Sequence, residues 1–332
     1  MTAATSRTKL PRWAEILRQK YLAGEASTFV LYRNVFDTVL VGEKLHTLGS
    51  FLVEELFKDT KQQVCEVSLE RGIRVLSGSL EDRQQALLRQ IEDGSEPDLL
   101  ASLHALEQRM RAQQSTAVIV PYADALLPAG DPSFMAQPDR QTYLVFHRWS
   151  LDPALTQGDN IVVLIAESLN AINPGLLSNP KVAAIEIPMP DLPLRQKVIG
   201  HFAPQLSEHQ KTLFAERTSG LRTVQLGNIL AAKGHGLSEA ERRTLIGQLL
   251  EGTPDAQERA NTLATITAGM TPAEITRLIE PGKTPPPGDA DQEVLKVIHV
   301  RKREMIEKEC AGLIEFIEPK HGLAAVGGHE HI

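Results

Sequence analysis

The chain has 332 residues, 42% hydrophobic and 23% charged, which suffices for roughly two packed domains and excludes wholesale disorder. Its net charge of −7 argues against a protein built mainly to coat nucleic acid, and no apolar run nears the ~20 residues of a membrane-crossing helix. Two widely separated cysteines, Cys65 and Cys310, and a polar start without a signal-peptide core point to a reduced, cytoplasmic protein.

In chain order, Pro11 suits a helix start, and Trp13, Ile16, Leu17 and Tyr21 make one apolar stripe behind it. Residues 28–32 are β-branched and aromatic and read as a buried strand. Leu45, Leu48, Leu52 and Leu56 recur at helical spacing and predict an amphipathic helix over 43–58. Residues 63–68 form a strand candidate and 73–76 an edge piece. Leu99, Leu103, Leu106 and Met110 give the clearest helical face, ending just before a strand at 116–121. Further strands are expected at 160–166 and 182–187. This alternation implies an α/β fold, with a mostly parallel sheet covered by helices on both faces.

From Asp191 onward no strand is expected, and 191–280 carries helical patterns separated by Gly and Pro. A weak internal echo relates 218–226 to 267–275, each a short turn and then a helix, but one pair of copies without a fixed period is no solenoid. Residues 281–289 are a linker by composition, followed by a charged helix from about Gln292 to Glu309.

Three stretches carry a resemblance to the AAA+ ATPases. Residues 185–199 form an I-x-I-P-x-P-D-x-x-x-R run that looks like the join between the last core strand and the helical lid. Residues 164–177 look like the sensor-1 strand and its turn, with Glu167 and Ser168 replacing the usual Thr-Asn. The tail through Val326-Gly327-Gly328-His329-Glu330 is similar to the opening of an active AAA+ module. The order is that of a P-loop NTPase-like core, yet nothing reads G-x-x-x-x-G-K-[ST].

The chain resembles most a bacterial, plastid and phage family with two modules, the first degenerate and the second carrying the working ATPase site. Residues 32–37 also resemble an H-G-N-V-x-D-like run of that family, with Tyr32 and Arg33 in place of His-Gly. The resemblance implies an N-terminal helical arm (1–25), a degenerate core (26–190), a helical subdomain (191–280), a linker (281–292), a connector helix (293–325) and the start of a missing module (326–332). It further implies a homo-oligomeric ring, with a hexamer as the candidate size, that remodels a protein or nucleic-acid partner away from membranes. ATP and Mg²⁺ would belong to the downstream module, with no cofactor in this chain.

The residues themselves support no ATPase site. Where a phosphate loop should follow the first strand, residues 34–44 offer only Gly42 and Lys44 around Glu43, and no catalytic residue is assigned. Asp124, three residues past Pro121, lies near a Walker B position, and Glu167 and Asn170 lie at sensor-1-like positions. These three are the nucleotide-site candidates, although a lone acid such as Asp124 more often caps a turn. No metal site is assigned. Gly282-Lys283-Thr284 precedes three prolines and is a linker coincidence. Gly234-His235-Gly236 follows a helix and does not read as a dinucleotide motif. His329 and His331 read as terminal, and Arg301, Lys302, Arg303 and Lys308, interleaved with glutamates, as a solvated face.

The expectation is therefore a non-catalytic AAA+ module that assembles or regulates a downstream ATPase. The alternatives are a stand-alone interaction scaffold and an NTPase with a non-standard phosphate loop.

Overall fold

A computed structural model of the chain describes residues 10–78, 99–113, 115–131, 133–204, 206–230, 237–252, 255–267, 270, 272–279, 299 and 303. Internal contacts divide the chain into two compact units, Met1–Met189 and Pro190–Ile332. The motifs at 234–236 and 282–284, His329, His331 and the expected segments at 281–292 and 326–332 lie outside the described residues, as does all of 293–325 except 299 and 303.

The first unit opens with helix α1 (Arg12–Leu22) and strand β1 (Thr28–Arg33). A hairpin follows, β2 (Thr38–Val41) and β3 (Lys44–Thr47), and then α2 (Leu48–Phe51), which continues as a π-helical turn over Leu52–Phe57. Next come β4 (Gln63–Ser68), β5 (Gly72–Ser77), α3 (Leu99–Gln113), β6 (Thr116–Val120), α4 (Ala123–Leu126), α5 (Gln137–Leu151) and α6 (Pro153–Thr156). Strand β7 (Ile161–Ile165), a 3₁₀ turn at Leu169–Ala171, α7 (Pro174–Leu177) and β8 (Val182–Ile187) close it.

Six strands form one sheet in the order β5-β4-β6-β7-β1-β8. All neighbours are parallel except β4 and β5, so β5 is the antiparallel edge piece. Every residue of β6 and β7 is buried, because helices cover both faces of the sheet. Phe29, Leu31, Val163 and Ile165 point into one apolar layer with α1 and α2, where the Trp13 and Phe51 rings lie 5.3 Å apart. Val30, Val162 and Leu164 point into the other, against Leu103, Leu106 and Met110 of α3 and Phe146 and Trp149 of α5. Each fully buried side chain of this size contributes about 1.5–3 kcal/mol by removal from water.

The expected helix over 43–58 starts later. Leu45 sits in β3, paired with Leu40, and the helix begins only at Leu48. Thr38, Val39 and Val41 favour extended backbone, and Gly42 (φ 60°) supplies the positive φ at the first position of a two-residue hairpin turn. Thr47 then caps the helix, its Oγ1 accepting the Ser50 N–H at 3.2 Å. The leucine spacing matched a helical period but crossed a strand and a cap.

Among the described residues, the second unit comprises α8 (Leu192–Phe202), α9 (Glu208–Arg217), α10 (Thr223–Leu230), α11 (Glu239–Leu249), α12 (Ala256–Ile266) and α13 (Pro272–Ile279). These are two sets of three helices built to one plan. In the first set Asp191 caps α8, accepting the Leu194 N–H at 2.9 Å, and four residues later buried Arg195 donates to the Ala215 carbonyl at 2.8 Å and to Pro190 O. In the second, Ser238 caps α11 and buried Arg242, again four residues on, donates to the Ala264 carbonyl at 2.7 Å and to Leu237 O. Thr218 and Thr267 close the middle helices by donating to Phe214 O and Leu263 O. Each arginine thus satisfies a last-turn carbonyl, Ala215 O or Ala264 O, that the helix leaves without an intrahelical partner, while each threonine hydroxyl adds a second bond to a carbonyl that already accepts its own backbone N–H. The echo between 218–226 and 267–275 is one corner of this larger correspondence. Among the described residues no helix is long and apolar enough to cross a membrane.

Candidate functional site

The carboxyl ends of the parallel strands form the part of the first unit where ligands of open α/β sheets bind. The chain leaving β1 passes to the face covered by α2, whereas the chain leaving β7 passes to the opposite face. The crevice between these adjacent strands is the topological switch point of the sheet.

Two backbone bonds fix its mouth: Leu31 O accepts the Ala166 N–H and Glu167 O accepts the Arg33 N–H, each at 3.0 Å. On the other side of β1, Ile187 O of β8 accepts the Asn34 N–H at 3.4 Å. Arg33 takes a left-handed backbone (φ 81°), and its guanidinium pairs with Glu186. Glycine, the residue at this position in the run that 32–37 resembles, adopts such a backbone without strain. Asn34 is buried and donates from Nδ2 to Asp37 Oδ2 at 2.9 Å and to Pro188 O at 3.4 Å, while Asp37 Oδ1 accepts the Thr38 N–H at 2.8 Å. This small network turns the chain out of β1 directly into the hairpin. Residues 38–41 and 44–47 pair with one another in register.

At the end of β6, Tyr122 is a second non-glycine residue in left-handed conformation (φ 51°, ψ 47°). Its ring is exposed and lies 6.0 Å from the exposed ring of Phe36. Two strained residues and an exposed aromatic pair at one end of a sheet mark a place where the fold tolerates cost.

The three residues singled out from sequence stand at this same end of the sheet. Asp124 is half-buried in α4 after β6, and the cap position itself belongs to Tyr122. Asp124 is therefore a first-turn acid and not the cap. Glu167 and Asn170 follow β7 and are exposed, with the Asn170 N–H donated to Ser168 Oγ at 3.3 Å. Among the described residues, neither Asp124 nor Glu167 belongs to a cluster of three metal-type side chains. Sequence reasoning did not single out Phe36 and Tyr122. The signal for Arg33 was present in its replacement of a glycine.

The family described as AAA+ chaperone, N-terminal Rossmann-like domain, matches residues 3–188. The chain belongs to this family. The matched span of the AAA+ chaperone N-terminal domain coincides closely with the first compact unit. No curated protein matches the chain. Among solved structures, it is similar to a chain of a HORMA:CdnC:Trip13 complex from E. coli MS115-1, at 14% identity over 75% of this chain and 80% of that one. The TM-score is 0.40, too low for that likeness to carry an argument about this AAA+ chaperone domain.

Proposed function

We propose that residues 26–190 are a non-catalytic AAA+ module which, with 191–280 as its helical lid, assembles or regulates an ATPase module carried downstream. The observation that carries this reading is the hairpin at 38–47, standing where the loop after β1 would have to cradle phosphates. A cradle needs several unpaired backbone N–H groups converging on one anion, together with a lysine. Here the hairpin strands bond to each other, and Gly42 is used in their turn. The residues present do not fit a triphosphate. Asp124, Glu167 and Asn170 are retained as remnants of a nucleotide site that hold no metal unaided.

ATP and Mg²⁺ in this reading serve the downstream module. The protein works in the cytoplasm as a homo-oligomeric ring, a hexamer by analogy with the family, acting on a protein or nucleic-acid substrate. The exposed Phe36–Tyr122 pair favours one second reading, a stand-alone scaffold that binds a partner through this end of the sheet.

Incubation of the chain with Mg·ATP is expected to release phosphate only at background, and ATP should leave its melting temperature unchanged, since a ligand held by the native state must raise it. A nucleotide-dependent rise, or turnover abolished by Lys44→Ala, overturns the reading. The uninterrupted reading frame separates the two proposals: a downstream G-x-x-x-x-G-K-[ST] supports the regulatory module, and a stop supports the scaffold.

A further inference from the structure

We propose that His46, Glu54 and Glu55 form a binding site for a divalent first-row transition metal, zinc being the best fit. The site ties the hairpin to the helix behind it, and the inference is independent of the AAA+ reading. His46 lies on β3 with its residue only 6% exposed. Its Nε2 is buried and has no hydrogen-bond partner among the described residues, although Glu55 Oε1 is 3.4 Å away. Glu54 Oε2 lies 3.6 Å from Nδ1. One ligand atom from each of the three residues falls within 4.8 Å of the others.

The 3.4 Å between Nε2 and Glu55 Oε1 suits zinc. Donors about 2.0–2.2 Å from a tetrahedral ion stand roughly 3.3 Å from each other. A buried ring nitrogen without a partner is costly, and a metal ion removes that cost by accepting its lone pair. An imidazole nitrogen beside carboxylate oxygens suits zinc, cobalt or nickel, whereas calcium and magnesium take oxygen alone. Nε2 and Glu55 hold the ion. Half-exposed Glu54 either completes the set or accepts the Nδ1 proton, the outer contact that fixes a metal-binding imidazole. The half-open side leaves room for water on the ion.

The backbone supplies an independent sign. Residues 52–57 form a π-helical turn, in which the Lys58 N–H donates to the Val53 carbonyl five residues back at 2.8 Å. The wider turn narrows the angle between successive side chains, so neighbouring Glu54 and Glu55 both reach His46. Such turns are rare and concentrate at functional sites.

The test is zinc titration by calorimetry, with parallel thermal melts on metal-stripped protein. The chain has 10 histidines, so the parent for the test carries His329→Ala and His331→Ala, which removes the tail pair as a competing site. Expected is one equivalent of zinc bound and a melting temperature raised by several degrees. Glu54→Gln with Glu55→Gln should weaken zinc at least tenfold while the circular dichroism spectrum is unchanged. His46→Ala should abolish binding, and if that variant does not fold, the glutamine pair decides. No zinc-dependent shift in the parent, or undiminished affinity in the glutamine pair, overturns the proposal.

Discussion

Trp149 on α5 donates its indole N–H to Glu107 Oε2 on α3 at 3.0 Å, joining two helices that cover one face of the sheet. Glu107 is buried and also accepts from Arg111 at 2.9 Å and from Arg148. Burial pushes its pKa up, but the bonds from Trp149, Arg111 and Arg148 outweigh it and hold the carboxyl below the ordinary glutamate value. Replacing Glu107 by Ala should destabilise the protein by about 2–3 kcal/mol, because the indole N–H loses its acceptor. Urea unfolding measures it. A loss below a few tenths of a kcal/mol would show that water replaces the carboxylate freely.

A second prediction concerns acid. Asp159 accepts the Tyr21 hydroxyl at 2.6 Å and the Ser115 hydroxyl at 2.9 Å and pairs with Lys61, whose side chain is almost wholly buried. Burial raises the Asp159 pKa, yet the bonds from Lys61, Tyr21 and Ser115 bring it below the usual aspartate value. A depressed folded pKa gives stability that is present above the unfolded value of about 3.9 and disappears as pH falls through the folded one. The melting temperature should therefore drop steeply below about pH 4, and Asp159→Asn should flatten that part of the profile. An unchanged slope in Asp159→Asn would assign the acid sensitivity elsewhere.

The two three-helix sets should respond alike to the loss of their arginines. Arg195→Lys and Arg242→Lys each remove the planar fork that joins two carbonyls, and each should cost about 1–3 kcal/mol. Unequal losses would mean that the correspondence is one of shape without shared energetics.

Gly227 on α10 is where Phe202 on α8 approaches closely: a Cβ there would meet the ring at 2.8 Å. Gly227→Ala should destabilise by about 1–3 kcal/mol through overpacking. Chemical denaturation checks it, and a neutral result would show that the ring swings aside.

Tyr122→Gly should stabilise by up to about 1 kcal/mol, since glycine takes the left-handed backbone without strain. A fall instead would show that the contact with Phe36 outweighs the strain.

Much of the sheet was legible because its strands are short apolar runs between turn signals, and the parallel order followed from their alternation with helices. The hairpin was not, because Leu45 continued a leucine period belonging to the helix beyond Thr47. A single cap residue outweighed that period. Arg195 was noticed as part of a family-like run, but its partner is a carbonyl twenty residues on, which no local pattern announces. No such run surrounds Arg242. At the candidate site, Asp124, Glu167 and Asn170 were found from their position after strands, which the sheet does line up at one end. The Phe36–Tyr122 pair depends on two loops from non-adjacent strands meeting in space, and nothing in either segment encodes that meeting.

The place of β1 in the sheet bears on how the chain is made. Thr28 lies beside Val162 and Val182, so this strand finds its neighbours only when much later segments have left the ribosome. Until then a sticky β-prone stretch waits with bare edges, and loop closure over such a span is slow. Synthesis of this protein should therefore lean on holding factors that shield residues 28–31, and a pause placed before residue 182 should favour clumping over recovery.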